Sequence, residues 1–209
     1  MTISHTPSPA RSDVAAGTGT PSRTTPPRPF LRHGRALSIG AVLWAAATAV
    51  TGVAPSDNTL ELALFCVGSG AFQVGLLALL RVLWRTQALG TGRLARLFLR
   101  FEAGLVSLAI CSTLVDGFGI SDLSRPGWAL LDAFWPFSML GMFLIGIRIA
   151  VAGRWNGASR FWPLLAESWA VVVIPSLGIF GYTTATVVSC VHLLVGYTVL
   201  GVLVSRKEG

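Results

Sequence analysis

Charge is scarce in this chain. Only 12% of its 209 residues are Asp, Glu, Lys or Arg, against about 25% in a soluble domain. So few charges cannot cover a water-facing surface, which excludes an ordinary soluble protein and makes lipid the main solvent. Cysteine is scarcer still. Cys66, Cys111 and Cys190 all lie inside apolar runs and form no CxxC pair, which argues against a disulfide framework. The signatures of common chemistry are missing too. There is no phosphate-cradling glycine loop, no Ser-His-Asp set, no HExxH helix and no matched pair of broken transporter helices. Period-2 alternation is also absent, so barrel strands give way to helices, the other structure that satisfies its backbone in lipid.

What remains is apolar: 53% of the residues are hydrophobic. They gather in six runs at about 36–54, 60–84, 95–117, 128–152, 161–181 and 183–204, each near the 20 residues that cross a bilayer as a helix. Residues 1–34 hold six prolines, many Ser and Thr and four arginines. They read as a disordered basic tail, solvated or resting on anionic head groups. The expected organisation is this tail, a six-helix transmembrane domain over 35–205 and a short end at 206–209. Small residues in "TGVAP" resemble a cleavage site, but the long preceding segment and the proline after Ala54 favour a retained first span.

The net charge of +7 does not imply nucleic acid, because the arginines sit at the ends of apolar runs and form no basic face. Their distribution sets the orientation instead. Fifteen of the 16 basic residues fall in the tail, in the second and fourth connections or after the last span, and Arg125 alone falls on the other side. The positive-inside rule then places both termini in the cytoplasm, in a plasma-membrane protein.

Two stretches share an order of features. "GLLALLRVLWRTQALGTGRLARLFLRFEAG" carries Arg81 and Glu102, and "GMFLIGIRIAVAGRWNGASRFWPLLAESWA" carries Arg148 and Glu167. Spans 2–3 thus echo spans 4–5 as a candidate repeated hairpin of the parallel type, although positive-inside bias alone would also place arginines in both loops. Each glutamate lies about 9–12 Å into the inner leaflet at about 1.5 Å per residue. Isolated charge there costs several kcal/mol, so each should find a base or be protonated; the expected structural ion pairs are Arg81–Glu102 and Arg148–Glu167, with a proton or substrate role as the alternative.

Three further groups stand out. Asp132, with Pro136 four residues on, and Asp116 are the candidate catalytic or cation-binding carboxylates; the alternative is an interfacial aromatic belt with a helix-start acid. His192, midway along the last span, is expected to donate to the Val171 carbonyl that Pro175 leaves without a helical donor. Cys66, Cys111, Cys190 and His192 share a similar depth and would suit zinc or copper(I), but no close-spaced ligand pair supports a metal, and buried cysteine is also a small apolar residue. No cofactor is expected.

The run "DAFWPFSMLGMFLIGIRIAVAGRWNGASRFWPLLAESWAVVVIP", with the later "HLLVGYTVLG", resembles small multi-pass membrane proteins of actinobacteria with no assigned function. The resemblance implies a six-helix membrane fold and carries over no catalytic motif. Two functions are weighed. One is a non-catalytic bundle that binds lipid or a hydrophobic small molecule, or serves as an accessory subunit beside a membrane partner or further copies of itself. The other is an intramembrane enzyme acting on an isoprenoid or lipid, with Asp132 or Asp116 as the acid.

Overall fold

The computed structural model describes residues 28–55 and 58–207. All regular structure among them is helical. Six helical stretches are long and apolar enough to cross a membrane: Leu31–Thr51, Thr59–Arg85, Arg93–Gly117, Pro126–Ala152, Ala158–Phe180 and Tyr182–Ser205. The first four are single helices, α1 to α4. The fifth divides at Ser168 into α5 (Ala158–Glu167) and α6 (Trp169–Phe180). The sixth runs as α7 (Tyr182–His192), a π-helical turn (Leu193–Tyr197) and α8 (Thr198–Ser205). The chain is a multi-pass membrane protein.

Local chemistry sets the ends of the spans. The Asn58 side chain accepts the Leu60 N–H at 2.9 Å and starts α2. Pro126 opens α4, at a position where no helical N–H is needed. Gly153 closes α4 in the left-handed region, at φ 63°, which glycine enters without steric cost. In the connection before α4, Asp122 accepts from the Ser124 hydroxyl at 2.6 Å and backbone N–H at 3.1 Å and pairs with Arg125. The Ser124 bonds first, then Arg125, hold its carboxyl below the ordinary aspartate range.

The six spans form a ring. Sequence neighbours pack together, and α1 closes the ring against the last span. Ser38 on α1 donates to the Thr198 carbonyl at 3.0 Å, so both ends of the spanning region lie at the arginine-rich end of the bundle. At the opposite end, the Tyr182 hydroxyl accepts the Ala54 N–H at 2.8 Å and donates to the Ala54 carbonyl. Glycines bring backbones together. A Cβ at Gly75 would lie 2.8 Å from Leu37 Cα, and one at Gly146 would lie 2.9 Å from Leu164 Cα.

The centre is aromatic. Trp44 of α1 lies 4.8 Å from Phe72, 5.2 Å from Trp169 and 5.6 Å from Trp135, ring centre to ring centre, and Phe72 meets Tyr197 edge-on at 4.6 Å. The outer surface is apolar, with Ile39, Val67, Leu97, Val151 and Ile179 exposed. Such a surface fits lipid rather than water.

Two sequence expectations need correction here. The first helix starts at Leu31, inside the stretch expected to be disordered, because Phe30 is buried in the core and anchors the entry to α1. The rest of that expected tail, residues 1–27, and the last two residues lie outside the described residues. The two hairpins also differ: the third span is one unbroken helix, while the fifth divides at Ser168. The repeat does not carry through to their detail.

Candidate functional site

The interruption of the fifth span organises the site. The Ser168 hydroxyl donates to the Leu165 carbonyl at 2.7 Å, a back-bond of the kind that bends helices, and Glu167 ends α5 beside it. The last span departs from α-helical winding opposite this point. Residues five apart on an α-helix diverge by about 140°. The π-helical turn Leu193–Tyr197, with its wider i→i+5 bonding, brings His192 and Tyr197 to one face, with ring centres 6.4 Å apart. Both rings meet the end of α5. His192 Nε2 donates to the Ala166 carbonyl at 2.9 Å, and the Tyr197 hydroxyl donates to Glu167 Oε2 at 2.8 Å. Trp162 Nε1 donates to the Gly196 carbonyl, inside the π turn, at 2.9 Å.

His192 therefore supports the break, but not at the expected acceptor. Val171 had been expected because Pro175 frees its carbonyl; the helix instead parts one turn earlier, at Ser168, and the imidazole follows the break. His192→Ala leaves the buried Ala166 carbonyl without this donor, at a cost of about 1–3 kcal/mol. SDS titration in mixed micelles should register that loss, and His192→Gln, which retains an N–H, should recover part of it.

The expected ion pairs do not form. Arg148 Nε donates to the Leu89 carbonyl at 3.3 Å and Arg160 Nε to the Ala150 carbonyl at 2.8 Å. Arg81 lies on the wall of a cleft between α2 and α3 with Arg85 and Arg100. Among the described residues the one ion pair is Arg125–Asp122. The reason is reach. The long arginine side chains extend to connections and helix-end carbonyls, as snorkelling side chains do, while the glutamates face the bundle interior. Glu102 is 0% exposed and neither of its oxygens has a hydrogen-bond partner. Its carboxyl lies against Gly141, where a Cβ would collide with it. Glu167 is 1% exposed, and its Oε1 has no hydrogen-bond partner. The two carboxyl groups lie within electrostatic range of each other.

Glu167 also borders a crevice of about 460 Å³ between α4 and α6. Trp135, Phe143, Trp169, Val173 and Leu177 are among its walls, and Pro136 lies in its α4 side. Among the described residues, neither Lys nor Arg lines it. Its rim residues Leu140, Val171 and Ile174 are exposed on the apolar surface, so the crevice opens where lipid would lie.

The other candidates do not converge here. Asp132 is exposed and Asp116 half-buried; they lie within electrostatic range of each other, but neither lines the crevice. Cys66, Cys111 and Cys190 stand on α2, α3 and α7. Cys111 is exposed, and Cys190 Sγ faces the Ala45 carbonyl at 3.5 Å. Among the described residues, no three His, Cys, Asp or Glu side chains group as a metal site. Equal depth had aligned the cysteines and His192, but helix rotation separates them. Sequence reasoning placed Trp135 and Pro136 at a candidate site but missed Tyr197 and Trp169. The five-residue interval from His192 to Tyr197 signals a shared face only once the π turn is known. No family model, curated protein or solved structure matches the chain.

Proposed function

We propose that this is a non-catalytic plasma-membrane protein, with both termini cytoplasmic, that binds a hydrophobic molecule in the crevice between α4 and α6. One observation carries the reading: an aromatic and aliphatic crevice of about 460 Å³ has among its lining residues Glu167, whose buried carboxyl keeps one oxygen without a hydrogen-bond partner. Small-molecule sites have this composition, apolar walls with one or two polar groups that fix orientation, and volumes of about 300–1,000 Å³. The orientation rests on the concentration of basic residues at the end shared by both termini. The separation of Asp116 and Asp132 from the crevice weighs against an enzyme using either as its acid. The likeness of residues 132–175 to six-span actinobacterial membrane proteins is compatible with this reading.

The test fills the crevice. Ala170 lines it, and Ala170→Trp places an indole in the space. Native mass spectrometry from nanodiscs is expected to find a small hydrophobic molecule retained by the wild type and lost from Ala170→Trp at unchanged melting temperature. Equal retention by both proteins would sink the proposed location.

A further inference from the structure

We infer that the molecule accepted by this crevice is a hydrophobic cation, whose positive charge meets Oε1 of Glu167. The inference rests on the crevice reading above and adds the charge of the ligand. It begins from what surrounds the carboxyl. Tyr197 occupies Oε2, while the buried Oε1 has no partner, and Glu167, 1% exposed, is among the residues that line the crevice. An ionised carboxylate alone in such a place costs several kcal/mol unless a counter-charge accompanies it.

Among the described residues none forms an ion pair with Glu167. Arg148 and Arg160, the arginines nearest in sequence on the flanking helices, are engaged with the Leu89 and Ala150 carbonyls, and Arg160 also lies over the Phe161 ring, 5.0 Å from its centre. A second buried carboxyl, Glu102, lies within electrostatic range and has no hydrogen-bond partner. In their ionised form these two carboxyls favour an arriving positive charge and oppose a negative one. A neutral ligand would gain a hydrogen bond at most.

The walls fit the same chemistry. Trp135, Phe143 and Trp169 border the space, and aromatic faces attract cations through their quadrupole, by about 2 kcal/mol or more where water is excluded. The apolar lining selects for a cation whose charge is carried on a hydrophobic body, since a small hydrated ion would lose its water without recovering equivalent contacts. The exposed rim admits a ligand that has already partitioned into the bilayer.

Three probes of one shape separate the possibilities. Tetraphenylphosphonium, tetraphenylsilane and tetraphenylborate differ chiefly in charge, positive, neutral and negative. Each is titrated against the protein in nanodiscs and against empty nanodiscs, which correct for partitioning into lipid. The expected result is saturable binding of tetraphenylphosphonium at least tenfold tighter than the silane, with no saturable binding of the borate. Glu167→Gln, nearly the same in shape, should abolish the tenfold preference.

Equal binding of cation and neutral probe would overturn the charge inference and leave the crevice reading standing. Absence of saturable binding for all three would overturn both. Tetraphenylphosphonium binding that persists in Ala170→Trp would place the cation elsewhere and refute the assignment to Glu167. The comparison of probes on the wild type needs no variant, so it decides the matter even if Glu167→Gln folds poorly.

Discussion

Trp44→Ala is expected to destabilise the bundle by about 3 kcal/mol or more, at the lower end of aromatic-to-alanine changes in protein cores. The magnitude follows from what the ring touches. Trp44 is 2% exposed and meets Phe65 and Phe72 of α2, Trp135 of α4 and Trp169 of α6. It is the element of α1 that reaches across the ring to three other spans. Water is a minor part of the account, because the alternative solvent for these surfaces is lipid, which is itself apolar. The loss is in close packing and aromatic geometry, and the rings around the vacancy cannot all move into it at once.

SDS titration in mixed micelles measures the difference. Leu97→Ala is the matching control: Leu97 is 63% exposed on the apolar surface and should change stability by less than about 0.5 kcal/mol, as surface substitutions do. A Trp44→Ala loss no greater than that of the control would mean that the aromatic centre does not hold the spans together.

The second large effect comes from adding atoms. Gly40→Val is expected to abolish recovery of monodisperse folded protein, as followed by size-exclusion chromatography after extraction. A Cβ at Gly40 would lie 2.6 Å from the Ala71 carbonyl oxygen and 2.7 Å from Phe72 Cα. Both obstacles are backbone, so no rotamer change relieves the clash. The helices must separate, and separation removes contacts along the whole α1–α2 seam. Overpacking a core costs about 1–3 kcal/mol where side chains can adjust, and here they cannot. Gly104→Ala makes the contrast, because a Cβ there meets nothing within 4 Å. It should hold or raise stability by up to about 1 kcal/mol, the helix preference of alanine over glycine. Wild-type melting of Gly40→Val would refute the close approach of α1 and α2.

The sequence made the spans legible because bilayer thickness and apolar length are directly related. The run expected at 95–117 is the helix Arg93–Gly117, and that at 128–152 is Pro126–Ala152. The entry to α1 was less readable, since one buried phenylalanine, Phe30, outweighs the polar composition before it. Side-chain partners were harder still. Arg148 and Glu167 lie at compatible depths, but depth does not specify rotation about the helix axis. Glu167 turns inward to Tyr197, and Arg148 turns to the Leu89 carbonyl. The π turn could not be inferred from composition, because it depends on the carbonyls at the break in α5 that its residues face. The close helix approaches rest on single glycines: a Cβ at Gly75 or Gly146 would meet neighbouring backbone.

The slender packing of α6 has a final consequence. Of its twelve residues, only Val173 is buried, and it touches α4 at few points. This segment nevertheless forms one side of the crevice. The remaining boundary must therefore come from the acyl chains that solvate the protein, whose length and order vary with membrane thickness. The chamber is a composite of polypeptide and bilayer. Its capacity is then a property of the membrane as much as of the amino-acid sequence, and a change of host lipid reshapes it without altering a single residue.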